Sequence, residues 1–192
     1  MQAQPFSGGF ADPAIASATA FRQVMEAMAR PGTIHTITGA VPPEPLSPAT
    51  GVVLLTFCDP DTPVHLAGPL ACDAVRTWVA FHTGAPIVRP SRCMFAVGAW
   101  DDLMPLSAYQ IGTPQYPDRS ATLIVQAEQL APNGAILSGP GIKETHALSL
   151  PEIEAFQQNA GHFPLGLDFV FTNGDCMAAL PRTTIVTQKG DV

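Results

Sequence analysis

Residues 161–186, GHFPLGLDFVFTNGDCMAALPRTTIV, decide the fold. Two apolar runs, 165–171 and 176–180, flank Asn173-Gly174. Asn-Gly takes the positive φ angles of a tight hairpin turn at little cost, so the stretch predicts two antiparallel strands. Neither run alternates. Nearly continuous apolar strands are covered on both faces, which puts this hairpin in the middle of a layered α/β domain rather than at its rim. Directly after it stand Pro181, Arg182, Thr183 and Thr184, a cation and two hydroxyls at the mouth of an apolar element.

Arg182 has two readings. Its planar fork of donors suits a phosphate or phosphonate oxyanion, with Thr183 and Thr184 adding hydroxyl donors. Alternatively it pairs with a buried carboxylate or caps backbone carbonyls, which is the commoner fate of a buried arginine.

Upstream of the hairpin, helices and strands interleave. Asp12-Pro13 has the cap-plus-proline form of a helix start, and Pro31-Gly32 ends that helix. Phe21, Val24, Met25 and Met28 recur at the spacing of one helical face. Arg22 and Glu26, four apart, are expected to pair beside it, with a ligand or subunit contact as the sharper role for Arg22. Residues 33–38 read as a short strand, and Ser47-Pro48 opens a short buried helix over 49–57, with a strand as the alternative. Asp59 and Asp61 read as turn-capping side chains rather than a calcium loop, because no further ligands follow at that spacing. A strand over 64–67 and a helix over 71–83, closed by Gly84, come next. His82 reads as a satisfied core histidine. Further strands are expected over 93–99 and 121–127, a short helical turn over 101–109, and a loop over 112–120. A Gly-Pro-Gly turn at 139–141, a strand over 146–150 and a helix over 151–159 complete the order. The fold class is α/β, with a mixed β-sheet flanked by helices. One domain is expected over 13–188, preceded by a flexible N-terminal arm (1–12) and followed by a tail (189–192).

The composition limits the partners. A chain of 192 residues fits one domain with a real core. Only 13% of it is charged against 46% hydrophobic, where about a quarter charged is ordinary. Such a surface is either widely neutral or partly covered by other proteins. A net charge of −7 without a basic patch argues against nucleic acid. The four cysteines, Cys58, Cys72, Cys93 and Cys176, lack CxxC spacing, sit inside apolar runs and read as buried free thiols of a reducing cytoplasm. No basic start or apolar leader is visible, and no apolar run approaches the roughly 20 residues that span a bilayer. A cytoplasmic protein without membrane contact is expected.

The residues alone assemble no catalytic set. There is no GxSxG elbow, HExxH pair or iron–sulfur cluster spacing. Gly139-Pro140-Gly141 could bring backbone amides to a phosphate, but it lacks the lysine of a P-loop, and a tight hairpin explains it as well.

Several segments in order carry a resemblance over more than 160 residues: FRQVMEAMARPG (21–32), DPDTPVHL (59–66), FHTGAPIV (81–88), ATLIVQ (121–126), LSGPGI (137–142) and FPLGLDFVFT with LPRTT (163–184). Together they resemble the PhnH family of phosphonate metabolism proteins, the H subunit of the bacterial carbon–phosphorus lyase core complex. Ser120 stands where glycine is expected and Ser138 where threonine is usual; neither is expected to touch the arginines. The resemblance implies a fold similar to the large domain of PLP-dependent transferases, without the cofactor. The only lysines are Lys143, beside a turn, and Lys189, in the tail, so no buried Schiff-base lysine is offered. It also implies a homodimer and a complex with three other subunits. That complex is linked to forming α-D-ribose 1-alkylphosphonate 5-triphosphate from a nucleoside triphosphate and an alkylphosphonate, before a separate radical subunit breaks the carbon–phosphorus bond.

Two functions stay open on this basis. The first is an assembly subunit with no catalytic residue, cofactor or metal of its own. The second is a subunit in which Arg22, Arg182, Thr183, Gly139 and Gly141 receive a phosphate-bearing or nucleotide ligand.

Overall fold

The computed structural model describes residues 6–188 and 190. Its elements are α1 (Pro13–Ala29), β1 (His35–Thr36), α2 (Pro48–Phe57), β2 (Val64–Leu66), α3 (Asp73–Thr83), β3 (Phe95–Gly98), β4 (Ile111–Thr113), β5 (Tyr116–Ser120), β6 (Thr122–Gln126), β7 (Ala135–Ser138), β8 (His146–Leu148), α4 (Ile153–Ala160), β9 (Asp168–Asn173), β10 (Cys176–Leu180) and β11 (Ile185–Thr187).

Six strands form the central sheet in the order β1-β10-β9-β6-β3-β2. β2, β3, β6 and β9 run parallel, while β10 pairs antiparallel with β9 and β1 with β10. The sheet is therefore mixed, and the hairpin lies inside it. Alternation of side chains sends Val170, Met177 and Ala179 into one core with α1, α2 and α3. It sends Phe169, Phe171, Ala178 and Leu180 into a second core. That second face is covered by α4 and by the small sheet β11-β7-β8. Both faces of the hairpin are buried, which is why its runs do not alternate.

The hairpin turn sits one residue later than Asn173-Gly174. Cys176 pairs with Asn173, so Gly174-Asp175 forms the turn. Gly174 has φ 54° and no non-glycine residue has positive φ among the described residues, the pattern of a Gly-X turn. Asn173 stays in the strand because its side-chain amide donates to the Ala127 and Glu128 carbonyls, at 2.8 and 3.0 Å. The tip is held in turn by Ala49 N–H on the Gly174 carbonyl and Ile37 N–H on that of Asp175.

Both cap-plus-proline sites start helices: Asp12 accepts from Ile15 N–H and Ser47 from Thr50 N–H, each at 3.3 Å. Asp59 forms the expected turn, its Oδ1 accepting from Asp61 N–H at 2.9 Å. Residues 112–120 are a correction, since they belong to the antiparallel ribbon β4–β5 rather than to a loop. Helix α1 departs from its expected face. It buries Ala20, Val24 and Ala27, while Phe21 and Met25 are 46% and 47% exposed. The alanines let the helix approach α2 and β10 closely, and the larger side chains are left outside. The expected Arg22–Glu26 pair is also absent, because Glu26 pairs with Arg30 at 3.1 Å.

Within the expected N-terminal arm, residues 1–5 lie outside the described residues. The carbonyl of Ser7 accepts from Trp78 Nε1 at 2.9 Å, and that of Gly8 from Val41 N–H at 2.8 Å.

Candidate functional site

Arg182 is built into the open end of the hairpin. β10 ends at Leu180, opposite Phe169, so Arg182 emerges beside Asp168, the first residue of β9. Its backbone N–H donates to Asp168 Oδ1 at 2.9 Å and its Nε to the same atom at 3.2 Å. Nη2 donates to Asp168 Oδ2 and to Ser120 Oγ, and Nη1 to the Pro117 carbonyl at 2.9 Å. Four of its side-chain N–H donors are thus taken up inside the chain. The two side chains are 12% and 19% exposed. The arginine clamps β9 and β10 to the ribbon β4–β5, with its fork matched to a carboxylate.

Two features of this clamp escape the sequence reading. Asp168 is the single acid inside the apolar run 165–171, and that isolation is the signal that could have found it. Ser120, expected to leave the arginines untouched, in fact accepts from Arg182.

The other candidates scatter. Gly139 lies against the strand-end segment after Arg182; a β-carbon there would sit 3.2 Å from the Thr183 carbonyl oxygen. Thr183 is exposed, and Thr184 is buried, with an Oγ1 that finds no partner among the described residues. Gly141 (φ 83°) packs on the end of α1, where a β-carbon would fall 1.9 Å from the Ala29 carbonyl oxygen. Close packing accounts for that glycine. Arg22 lies elsewhere, in a groove of about 740 Å³ whose walls include Phe10, Phe21 and Leu55.

Two clefts have no counterpart in the sequence reading. One, of about 410 Å³, opens at the carboxyl ends of β3 and β6, between Trp100, Gln126 and Ser149. Open α/β sheets usually bind ligands at that edge. Here the charged residues lining it are Asp101 and Glu128, which disfavour a phosphate. The other, of about 520 Å³, lies between residues 104–111 and α4, with Tyr109, Glu152, Gln158 and His162 among apolar walls. Burial, then Cys93, pushes the Tyr109 phenol up to about 12. Burial likewise raises the Cys93 thiol to about 11 and, with Asp59 adding to it, the Cys58 thiol to about 12. All four cysteines are free as expected, but only Cys58 and Cys93 are buried; Cys72 and Cys176, expected inside apolar runs, are partly exposed. Among the described residues, no three His, Cys, Asp or Glu side chains group as metal ligands, and no helix is long and apolar enough to cross a membrane.

Comparison with known proteins supplies what the geometry leaves open. Residues 8–187 match the family described as bacterial phosphonate metabolism protein (PhnH). A Rhizobium meliloti (strain 1021) protein named alpha-D-ribose 1-methylphosphonate 5-triphosphate synthase subunit PhnH is 40% identical over 194 residues, covering 95% of this chain and 96% of that one. HtxG of Stutzerimonas stutzeri, named provisionally as a C-P lyase subunit, is 28% identical over 181 residues, covering 90% and 86%.

Proposed function

Because the chain belongs to the PhnH family of bacterial phosphonate metabolism proteins, we propose that it is an assembly subunit of a carbon–phosphorus lyase core complex. The complex would form α-D-ribose 1-alkylphosphonate 5-triphosphate from a nucleoside triphosphate and an alkylphosphonate in the cytoplasm. This chain would shape and hold that complex rather than carry its chemistry. The observation that carries the assembly role is the distribution of exposed apolar side chains. Of the eleven large apolar side chains exposed among the described residues, five, Phe6, Ile15, Phe21, Met25 and Phe81, each 46–67% exposed, belong to the N-terminal segment, α1 and α3. Apolar surface gathered in this way marks a protein contact.

The finer fold assignment, a relative of the large domain of PLP-dependent transferases that works without the cofactor, belongs to the same proposal. Lys143 is exposed in the segment between β7 and β8, which bears on the cofactor-free half of that reading. A Schiff-base lysine is buried beside its cofactor.

The test is co-expression with the other core-complex subunits, followed by size-exclusion chromatography. Elution of this chain in one stoichiometric complex is expected. Elution apart from all of them would overturn the assembly reading.

A further inference from the structure

We propose that the groove between α1 and α2 is the docking surface for an amphipathic helix of a partner subunit, carrying a carboxylate that pairs with Arg22. The inference rests on the assembly role above and names the surface that serves it.

Three observations converge on the groove. The first is the outward stripe of α1. Ala14, Ala18, Phe21 and Met25 are all exposed and follow one another at helical spacing. The alanines leave a shallow channel at one end, and the two large side chains form a ridge at the other. A second helix packs ridge into channel on such a surface.

The second is continuity. The groove, about 740 Å³, shares Phe10, Pro13 and Leu55 with a neighbouring hollow of about 280 Å³ that reaches Phe6 and His82. Phe6 in turn meets Phe81 edge-on, with ring centroids 5.1 Å apart. The apolar surface therefore extends well past one helical turn, far enough for a partner helix to lie along it.

The third is charge. Arg22 lines the groove, and no hydrogen bond or ion pair reaches it among the described residues. Glu26, one turn away, is already held by Arg30. Among the described residues, no acid lines the groove. Covering an unpaired guanidinium with apolar surface is costly unless the cover brings a counter-charge. The occupant therefore carries a carboxylate among its apolar residues.

Charge bears on whether a second copy could fill the groove. A two-fold axis at the level of Arg22 would set the two guanidinium groups against each other, whereas one two residues further along would set Arg22 opposite the second copy's Glu26, whose side chain is 45% exposed. Like charges facing each other at an interface oppose association. The relatives' names as complex subunits favour a different protein as the occupant, and a second copy is the outcome that sedimentation would detect.

The test uses the full chain co-expressed with the other core-complex subunits, and compares Ala18→Trp, which fills the channel, with Arg22→Glu, which reverses the charge. Both side chains are exposed, so the melting temperatures should match that of the parent. Recovery of this chain in the complex should fall at least tenfold for each variant, whereas Arg22→Lys should keep most of it. Met94→Ser, at another exposed apolar position, should assemble normally. If the parent assembles and Ala18→Trp and Arg22→Glu assemble equally well, the groove is not the docking surface, although the assembly role stands. If the parent joins no subunit, both readings fall together. A concentration-dependent dimer in sedimentation that Ala18→Trp abolishes would assign the groove to a second copy and overturn the proposal.

Discussion

Arg182 and Asp168 close the open end of the central hairpin: one carboxylate receives the backbone N–H, the Nε and the Nη2 of the same arginine. The pair stands where β10 leaves the sheet and β9 enters it. From there the guanidinium reaches the Pro117 carbonyl and Ser120 Oγ, so the polar strand β5 is fastened to the core by charge-assisted bonds, while Ile111 of β4 packs against the second core.

Arg182→Ala should therefore act on stability. It leaves Asp168 mostly buried and uncompensated, a loss of about 3 kcal/mol for a pair with this little exposure. A fall in melting temperature and poorer solubility are expected, and Arg182→Lys should recover only part because the fork is lost. Inorganic phosphate should not change the melting temperature of the parent, since a ligand stabilises only a native state that binds it. An Arg182→Ala protein that melts like the parent but no longer responds to phosphate would make the arginine an anion reader instead.

Thr184 gives the opposite sign. Its side chain is 2% exposed and its Oγ1 has no partner among the described residues. A buried hydroxyl without a hydrogen bond costs on the order of 1–3 kcal/mol. Thr184→Val keeps the shape and removes that hydroxyl, so the midpoint of urea unfolding should rise. A clear drop would show that the hydroxyl has a partner, such as a buried water.

These two neighbours mark where sequence reasoning reaches and where it stops. Helix starts were readable because Asp12-Pro13 and Ser47-Pro48 act locally, through one side-chain oxygen and one missing N–H. The double burial of the hairpin was readable from the unbroken apolar runs. The exposed face of α1 was not, because periodicity marks a stripe of large apolar residues without saying whether alanines pack more closely. Ala20 and Ala27 took the core, and Phe21 and Met25 went outside. The ribbon β4–β5 was hidden for a related reason. Residues 112–120 hold two prolines and two charges, and their pairing is supported from a distance by Arg182 on Pro117 and Ser120. β11 is a three-residue strand, too short to show a period.

Pyridoxal phosphate should find no seat. Incubation with the cofactor should give no aldimine absorbance, and borohydride should trap no stoichiometric adduct at one site. Lys143 is exposed, so it lacks the desolvation that lowers a lysine pKa and arms it for imine formation. A single adduct on Lys143 at one per chain would remove the claim of a relative that works without the cofactor.

Alkaline pH should unfold the protein through its buried thiols and phenol. Burial raises Cys58 from 9.0 to about 12 and Cys93 from 9.0 to about 11. Tyr109 rises from 10.0 to about 12, again chiefly through burial. In the unfolded chain these groups return to their ordinary values and lose their protons first. Between the two values the unfolded state binds fewer protons than the folded one, so stability falls as pH rises. The contribution is fully present below about pH 9 and is lost progressively up to about pH 12. Melting temperature measured from about pH 8 to about pH 11 should decline. Cys58→Ser, which does not titrate in that range, should flatten part of the decline even if it lowers the starting value. In the same window, a thiol reagent should modify the half-buried Cys72 and Cys176 well before Cys58 and Cys93. A flat pH profile together with early modification of Cys58 would show that its thiol is not held protonated by burial.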